Sequence, residues 1–548
     1  GALYIPSTIK NIGDYAFMSV DYLNRIVLNE GLERIGKFAF AADLSDDFDR
    51  IIDIHIPSTV KIIDDFAFFF AGFRSVGNSS DHEIVELTFA ENSSLERIGI
   101  SAFDSCTFRE INLPESSSGY IIEKMAFFDN PLLERISLSA SITEIDDFAF
   151  RYCGTYFIAS QLSIRPKDRF AQYFPLPKYI TDGFNVVTIT IPEENSLTRI
   201  GDGAFEEVRL SGSLTLRNIT DLDDFAFRGH ELNGLLFEKL KNIGDYALYG
   251  RVVEFSTISA GTITTFESGE NLEYLGYFAF ENEKNITEVD LSNAKVITSS
   301  AFFGSGLTSV VIPDSLTEIG AAVFWYCRSL TSVVWNSELA LPDTVFGHCS
   351  ELISVVINNA KVIGPQAFTS CQKLSEVILP DALESIGDRA FQDCKALREI
   401  TLPDSLLSLG NSSFKLTGLR LVTLPANITQ LPNELFNGSA LVNVIFKGEV
   451  THLNGFRNCH NLRMPVIPDT VKVIGEECFA YTSLGNATSG NIILPSALEV
   501  IGLDAFVGAI DIRTVTIKAG SNNFAMENDP FRLNPNFEGY IVEEGNEF

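Results

Sequence analysis

Apolar positions along this chain recur in a fixed order, once every 22 or 23 residues, from one end to the other. The pattern is Leu-x-x-Ile-x-Ile-Pro-x-x-Leu-x-x-Ile-Gly-x-x-Ala-Phe-x-x-Cys-x-x, and its Phe marks the period most clearly. In the regular part of the chain that residue is Phe280, Phe302, Phe324, Phe346, Phe368, Phe391, Phe414 and Phe436. A constant period of this length is typical of a solenoid, in which each unit buries its apolar edge only against its neighbours.

Each repeat predicts two strands and a turn. The segment Leu-x-x-Ile-x-Ile alternates apolar and variable positions and is rich in β-branched residues, so it predicts a strand. One such strand per turn makes a parallel sheet, and the following Pro ends the strand because it lacks an N–H. Leu-x-x-Ile-Gly predicts a short second strand whose Gly permits a tight bend or a positive φ. Ala-Phe-x-x-Cys fits a helical turn with its Phe inside, which predicts a stacked aromatic spine.

The string Ile-Pro-x-x-Leu-x-x-Ile-Gly-x-x-Ala-Phe-x-x-Cys, clearest at 312–327 and 379–394, resembles the BspA-like leucine-rich repeats over essentially the whole chain. The resemblance implies a leucine-rich-repeat solenoid of the α/β type that is predominantly β. That fold is a curved right-handed coil with one long parallel sheet, short second strands and short helical turns. The resemblance also implies a surface or secreted protein of a host-associated bacterium or a protist, with an adhesive role and no catalytic residues.

The repeat predicts one continuous array of about 20 repeats over residues 1–548. Its longest interruption lies between Phe150 and Phe205, where residues 154–186 are interpreted as an insertion or a degenerate repeat. The last part, 522–548, keeps only a faint repeat and is predicted to be an irregular C-terminal cap.

The interruption at 154–186 contains a basic, aromatic and proline-rich segment within an acidic chain. Insertions in solenoids emerge as loops, often on a binding face, and Arg, Tyr and Phe are common interface anchors. The alternative is a diverged repeat whose aromatic side chains pack against the solenoid. The candidate partner-binding residues of this segment are Arg165, Lys167, Arg169, Tyr173, Phe174 and Tyr179.

A second candidate surface is the outer face of the regular sheet, where outward strand positions form columns. An exposed column of β-branched residues is suited to a partner protein, although sheets favour such residues in any case. Its candidate binding residues are Val311, Val334, Val356 and Ile378.

The charge balance excludes one class of binding partner. Forty Lys and Arg against 72 Asp and Glu give a formal charge of −32, which argues against nucleic acid because phosphate contacts need clustered basic residues. The longest apolar stretch, 66–73, is too short to span a bilayer, so no membrane span is predicted.

Seven of the eight cysteines lie three residues after a repeat Phe, a position that Val20 occupies in the first repeat. That pattern predicts buried, free thiols acting as small apolar residues. No Cys-x-x-Cys spacing and no paired His supports a metal site, and parallel side chains on successive turns disfavour disulfides.

No catalytic motif is present, and the six histidines are scattered over different repeats, so neither an enzyme nor a cofactor is predicted. The leading hypothesis is a surface or secreted recognition module that binds an extracellular or host protein through many turns. One alternative is a structural spacer or self-assembling rod. Another is glycan binding, for which the region of Tyr173 is the only indication.

Overall fold

The computed structural model describes most of the chain, and the two compact units into which it divides are Gly1–Ala294 and Lys295–Phe548. Each unit is a parallel-strand β-solenoid, and together they contain about 20 turns. The described residues are 2–20, 23, 25–42, 53–71, 84–155, 185–250, 263–463, 466–518, 525–526 and 530–543.

The first unit contains 21 strands in its described residues. They are β1 (Ala2–Ile5), β2 (Asn11–Ile12), β3 (Arg25–Leu28), β4 (Arg34–Ile35), β5 (Asp53–Ile56), β6 (Ile62–Ile63), β7 (Glu86–Phe89), β8 (Arg97–Ile98), β9 (Glu110–Asn112), β10 (Tyr120–Ile122), β11 (Arg135–Ser137), β12 (Ile142–Ile145), β13 (Val187–Thr190), β14 (Arg199–Ile200), β15 (Leu210–Ser211), β16 (Ser213–Thr215), β17 (Asp221–Leu222), β18 (Gly234–Leu236), β19 (Asn242–Ile243), β20 (Thr265–Glu267) and β21 (Tyr274–Leu275).

The second unit contains a further 18 strands and one short 3₁₀ helix, Asn486–Thr488, in the part that the structure describes. The strands are β22 (Val296–Ile297), β23 (Ser309–Ile312), β24 (Glu318–Ile319), β25 (Ser332–Trp335), β26 (Ser354–Ile357), β27 (Val362–Ile363), β28 (Glu376–Ile378), β29 (Ser385–Ile386), β30 (Ser408–Leu409), β31 (Leu421–Leu424), β32 (Asn443–Phe446), β33 (His452–Leu453), β34 (Val473–Ile474), β35 (Asn491–Leu494), β36 (Val500–Ile501), β37 (Thr514–Ile517), β38 (Ala525–Met526) and β39 (Gly539–Val542).

The strands form two parallel ladders in each unit. The first ladder contains the predicted Leu-x-x-Ile-x-Ile strands, in the orders β1-β3-β5-β7, β9-β11-β13-β15 and β16-β18-β20 in the first unit, and β23-β25-β26-β28, β31-β32 and β35-β37-β39 in the second. The second ladder contains the short strands before the Gly, in the order β2-β4-β6-β8-β10-β12-β14-β17-β19-β21 in the first unit, and β22-β24, β27-β29-β30 and β33-β34-β36-β38 in the second.

The first ladder is divided into shorter sheets, whereas the sequence predicted one long sheet. The divisions fall where a turn bends or lacks strand hydrogen bonds at this position. Gly212, with a φ of 128°, separates β15 from β16, and residues 399–402 form no strand. In the first unit the second ladder, whose strands are only two to four residues long, is the continuous one.

The Ala-Phe-x-x-Cys segments form tight turns, so the predicted helical turns are wrong. In most turns the residues two before and two after the Phe have positive φ, as Ala322 (56°) and Tyr326 (61°) do around Phe324. A helix needs consecutive negative φ values, so this alternation cannot continue as a helix. The N–H of Phe324 instead donates to the carbonyl of Val345 in the next turn (2.9 Å). The described residues contain no α-helix.

The repeat Phe rings stack face to face inside each unit, as predicted. Phe324 and Phe346, for example, have ring centroids 5.3 Å apart and planes 7° apart. Offset-stacked aromatic pairs add about 0.5–1.5 kcal/mol to the burial of their area. The stack in the first unit contains Phe17, Phe40, Phe68, Phe103, Phe127, Phe150, Phe205 and Phe227, and that in the second contains Phe302, Phe324, Phe346, Phe368, Phe391, Phe414, Phe436, Phe456, Phe479, Phe506 and Phe531.

The Gly of the Ile-Gly pair is required by close approach between turns. A Cβ at Gly410 would lie 2.3 Å from the backbone nitrogen of Asp388, and one at Gly364 would lie 2.5 Å from the carbonyl oxygen of Leu341. Neither glycine has a positive φ. The Gly therefore lets the second ladder stack at its normal spacing, and a larger residue would push adjacent turns apart.

Length variation between turns enters mainly at one place in the repeat. The stretches 43–52, 72–83, 156–184 and 251–262 lie outside the described residues, and each follows a Phe turn or its equivalent and precedes a strand of the first ladder. The described turns on both sides of these stretches keep their ladders.

Candidate functional site

The outward side of the first ladder in the second unit carries a column of apolar side chains. Strands β23, β25, β26 and β28 pair in register, which aligns Val311, Val334, Val356 and Ile378 on successive turns. We call these four residues the outward column. Val311 is 57% exposed and Ile378 is 60% exposed, and the two residues between them are half-buried.

Strand alternation separates this column from the interior. In β23 the outward positions are Ser309 and Val311, whereas Val310 and Ile312 point inward and are buried. Successive side chains of a strand point to opposite faces, so the same alternation repeats in each turn. The structure therefore brings together the four residues that the sequence proposed as one surface.

A polar column runs beside the outward column and consists of Ser309, Ser332, Ser354 and Glu376. It carries one carboxylate and otherwise hydroxyl groups. Ile353, which precedes β26, adds an apolar side chain that is 45% exposed. The face is thus mainly apolar and hydroxyl-bearing, a chemistry suited to the mixed surface of another protein.

The other proposed binding residues belong to the interruption at 154–186. Arg165, Lys167, Arg169, Tyr173, Phe174 and Tyr179 lie outside the described residues. The chain on either side of this segment is described, and the N–H of Asn185 donates to the carbonyl of Gly154 (2.8 Å). The segment therefore begins and ends at neighbouring points of the same turn, and its role in binding stays a prediction.

The interior contains thiols with a structural role. All eight cysteines are buried and free, which confirms that prediction. Each of the seven in the predicted position donates from Sγ to the carbonyl of the Phe in the preceding turn, as Cys371 does to Phe346 (3.1 Å). Burial raises the pKa of Cys371 to about 12, so it stays a neutral thiol at physiological pH.

Two other occupants of this interior position were not singled out by sequence reasoning. His230 lies three residues after Phe227, and Glu283 lies three residues after Phe280. Both side chains are fully buried, and Nε2 of His230 is 3.8 Å from Oε1 of Glu283. Burial lowers the pKa of His230 to about 4 and raises that of Glu283 to about 8. The N–H of Leu232 donates to Nδ1 of His230, so the neutral ring carries its proton on Nε2. The sequence signal that could have found them is their position three residues after the repeat Phe, which is an interior position of the repeat.

The Asp-Asp corners of the first unit hold arginine side chains. Arg97 contacts Asp64 (2.8 Å), Asp65 (2.6 Å) and Glu123 (2.6 Å). Burial alone raises the pKa of Asp64, but hydrogen bonds from Arg97 and Arg34 outweigh it and hold this pKa below its ordinary value. These carboxylates are therefore committed to ion pairs between turns.

The described residues offer neither a metal-ligand cluster nor a membrane-spanning helix. They contain no group of three or more His, Cys, Asp or Glu side chains arranged to hold a metal ion. Within the same ranges, no helix has the length and apolar character needed to cross a bilayer.

Comparison with known proteins agrees with the repeat architecture. The family profile described as a BspA type leucine-rich repeat region matches in six copies, at residues 2–90, 79–156, 176–262, 254–360, 339–455 and 454–538. A search of curated proteins finds no match.

Solved structures similar to the chain include three bacterial leucine-rich repeat proteins. One from Eubacterium ventriosum is 19% identical over 57% of this chain and 83% of its own, with a TM-score of 0.31. One from Bacteroides ovatus is 18% identical over 96% of this chain and 84% of its own, with a TM-score of 0.28. A leucine-rich cell surface protein from Faecalibacterium prausnitzii is 15% identical over 84% of this chain and 86% of its own, with a TM-score of 0.27.

The six profile matches together cover nearly the whole length, from residue 2 to residue 538. The chain therefore belongs to the BspA type leucine-rich repeat family.

Proposed function

We propose that this chain is a non-enzymatic recognition module, displayed on the cell surface or secreted, that adheres to an extracellular or host protein. Membership in the family makes it a protein-binding repeat module. The surface location is part of the proposal and is supported by the association of this family with surface proteins. The contact surface in this proposal is the outward column, with its polar neighbours forming the rim.

The observation that supports this surface is the in-register run of four β-branched side chains on the outward face, exposed at both ends. No polar residue interrupts this column over its four turns. Val311 and Ile378, at the ends of the column, leave more than half of their area in water. Covering such area on binding contributes about 25 cal/mol per Å².

The test begins with binding of the chain to a panel of immobilised extracellular matrix and cell-surface proteins. Val356→Glu then places a charge in the middle of the outward column. We expect this variant to weaken binding at least tenfold, which corresponds to about 1.4 kcal/mol, because the carboxylate must be desolvated at an apolar contact.

The matched control is Val362→Glu, which makes the same change in the same turn. Val362 is 37% exposed and lies in the second ladder, away from the outward column. Equal loss of binding in both variants, or no loss in either, would show that the outward column is not the contact surface. Absence of any bound protein, together with light scattering that grows with concentration, would favour the self-assembling rod instead.

A further inference from the structure

A polar groove crosses four turns of the second unit at the corner between the second ladder and the Phe turns. It is lined by the residues two before each repeat Phe, together with the residue that precedes each of them. The four residues two before Phe are Gln366, Arg389, Ser412 and Glu434. The groove has a volume of about 450 Å³, within the range of small-molecule sites (about 300–1,000 Å³).

None of these four positions carries an aromatic ring. In the first unit the same position is occupied by stacked rings, such as Phe225, Tyr246 and Phe278, with centroids 5.3 and 5.0 Å apart. All these positions have positive φ, so the backbone is the same in both cases. The groove therefore lies along four successive turns that carry no ring at this position.

Several polar groups of the groove are fixed in place by hydrogen bonds to the main chain. Oδ1 of Asp388 accepts the N–H of Asn411 (2.7 Å), and Oδ1 of Asn411 accepts the N–H of Asn433 (3.1 Å). These two bonds orient the side chains and use neither Oδ2 of Asp388 nor Nδ2 of Asn411. Groups held in this way lose little conformational entropy when a ligand binds.

Two of the three charged residues that line the groove, Asp388 and Arg389, make no ion pair with any residue that the structure describes. Glu434 pairs with Lys415 (2.7 Å) and accepts from Ser412 (3.1 Å), which lowers its pKa. Arg389, by contrast, makes no ion pair with any residue that the structure describes and is exposed. A guanidinium offers a planar pair of donors that matches a carboxylate.

We infer that this groove binds a saccharide that carries a carboxylate, such as a uronic acid. Arg389 would hold the carboxylate, and Asp388, Asn411 and Gln366 would exchange hydrogen bonds with hydroxyl groups, which both donate and accept. Pro365 is the only apolar residue of the lining, so the apolar side chains of a peptide would find little to contact. Turns advance about 4.8 Å each, so the four turns give a length of about 14 Å, enough for an oligosaccharide.

The test is retention of the complete chain on an array of carboxylated and neutral oligosaccharides, followed by titration of the retained ones in solution. Hyaluronan tetrasaccharide and the neutral tetramer of N-acetylglucosamine form one matched pair of probes, and a poly-glutamate peptide tests for binding of any polyanion. We expect retention of carboxylated saccharides, little retention of neutral ones, and none of the peptide.

Two variants locate the binding. Arg389→Met is expected to weaken it about ten- to a hundredfold, the effect of losing a charge-assisted pair of hydrogen bonds. Gln366→Phe is expected to abolish it by filling the groove with a ring, as at Phe225, without disturbing the fold. The control, Arg398→Met, removes an exposed arginine from the opposite end of the same turn and leaves binding unchanged.

Three results would overturn the inference: no carboxylated saccharide is retained, the peptide binds as tightly as the saccharide, or Arg389→Met and Arg398→Met behave alike. This site is separate from the outward column, so Val356→Glu is expected to leave saccharide binding intact. The two proposals can therefore fail independently.

Discussion

Replacing one ring of the Phe stack tests how the turns hold each other. Phe346 is fully buried and stacks on Phe324 (5.3 Å) and Phe368 (5.6 Å). It also meets the edge of Trp335, with ring centroids 6.3 Å apart and planes at 84°. Trp335 is itself fully buried, so its fluorescence reports on the packing around Phe346.

Two substitutions separate the loss of buried volume from the loss of ring stacking in the free energy of unfolding. Phe346→Ala removes the ring and leaves a cavity, a change that costs about 3–5 kcal/mol in buried cores. Phe346→Leu keeps most of the apolar volume but loses two stacked pairs, each worth about 0.5–1.5 kcal/mol, or about 1–3 kcal/mol together. Leu248 occupies the equivalent position in the first unit and is fully buried, so leucine fits this site.

The assay is urea unfolding followed by the fluorescence of Trp335 in a Trp325→Phe background, which leaves a single tryptophan. The chain contains two tryptophans, and Trp325 lies in the turn before. In a solenoid, stability comes from each turn and its interfaces with its neighbours. Both Phe346 variants should therefore lower the urea midpoint reported by Trp335, and Phe346→Ala should lower it more than Phe346→Leu. Leu407→Ala, at a side chain that is 59% exposed, is the control and should change stability by less than about 0.5 kcal/mol.

If Phe346→Leu is as stable as the parent, ring stacking adds nothing to the free energy of unfolding beyond the burial of apolar volume. If Phe346→Ala costs no more than Leu407→Ala, the ring is not buried between its neighbours. Either outcome would refute the reasoning about the spine.

Three further substitutions test other contacts between turns. Cys371→Val keeps an apolar side chain but removes the thiol donor to the carbonyl of Phe346, so unfolding in urea should become easier by about 1–2 kcal/mol, and an unchanged midpoint would show that this hydrogen bond adds nothing. Gly410→Ala forces a Cβ to within 2.3 Å of the backbone of the preceding turn, so the melting temperature should fall clearly, and a neutral effect would contradict the close approach. Asp64→Asn removes a carboxylate whose pKa lies below the ordinary 3.8, so its stabilisation is present above about pH 4 and is lost as pH falls through the lower folded pKa; acid titration should show the variant less stable at pH 7 and level with the parent in strong acid.

The repeat predicted most of the interior because interior positions are set by the period. The position three residues after the repeat Phe is interior in most periods. Cys371, one of its occupants, is small and also donates a hydrogen bond. The prediction of helical turns failed because Ala-Phe-x-x-Cys has no feature that reveals positive φ at residues such as Ala322. Such residues adopt that conformation because the next turn offers carbonyl acceptors, and this is a contact between repeats.

The surface was less accessible to sequence reasoning. The outward column followed from strand alternation, which is local, and the in-register pairing of Val311 with Val334 agrees with it. The groove at Arg389 was missed because it depends on four positions in separate repeats that carry no aromatic ring. Only a comparison with the aromatic residues at the same positions in the first unit, such as Tyr246, makes the opening visible.

The most direct test of the account concerns the closed interior, since every function proposed above belongs to the outer surface. All eight thiols are buried, and burial raises the pKa of Cys327 to about 12, with the same direction at the other seven. Reaction of the folded protein with Ellman's reagent at pH 8 should label none of them, and the same reaction in concentrated guanidinium chloride should label eight. Rapid labelling of several cysteines in the folded protein would mean that the turns do not seal one another.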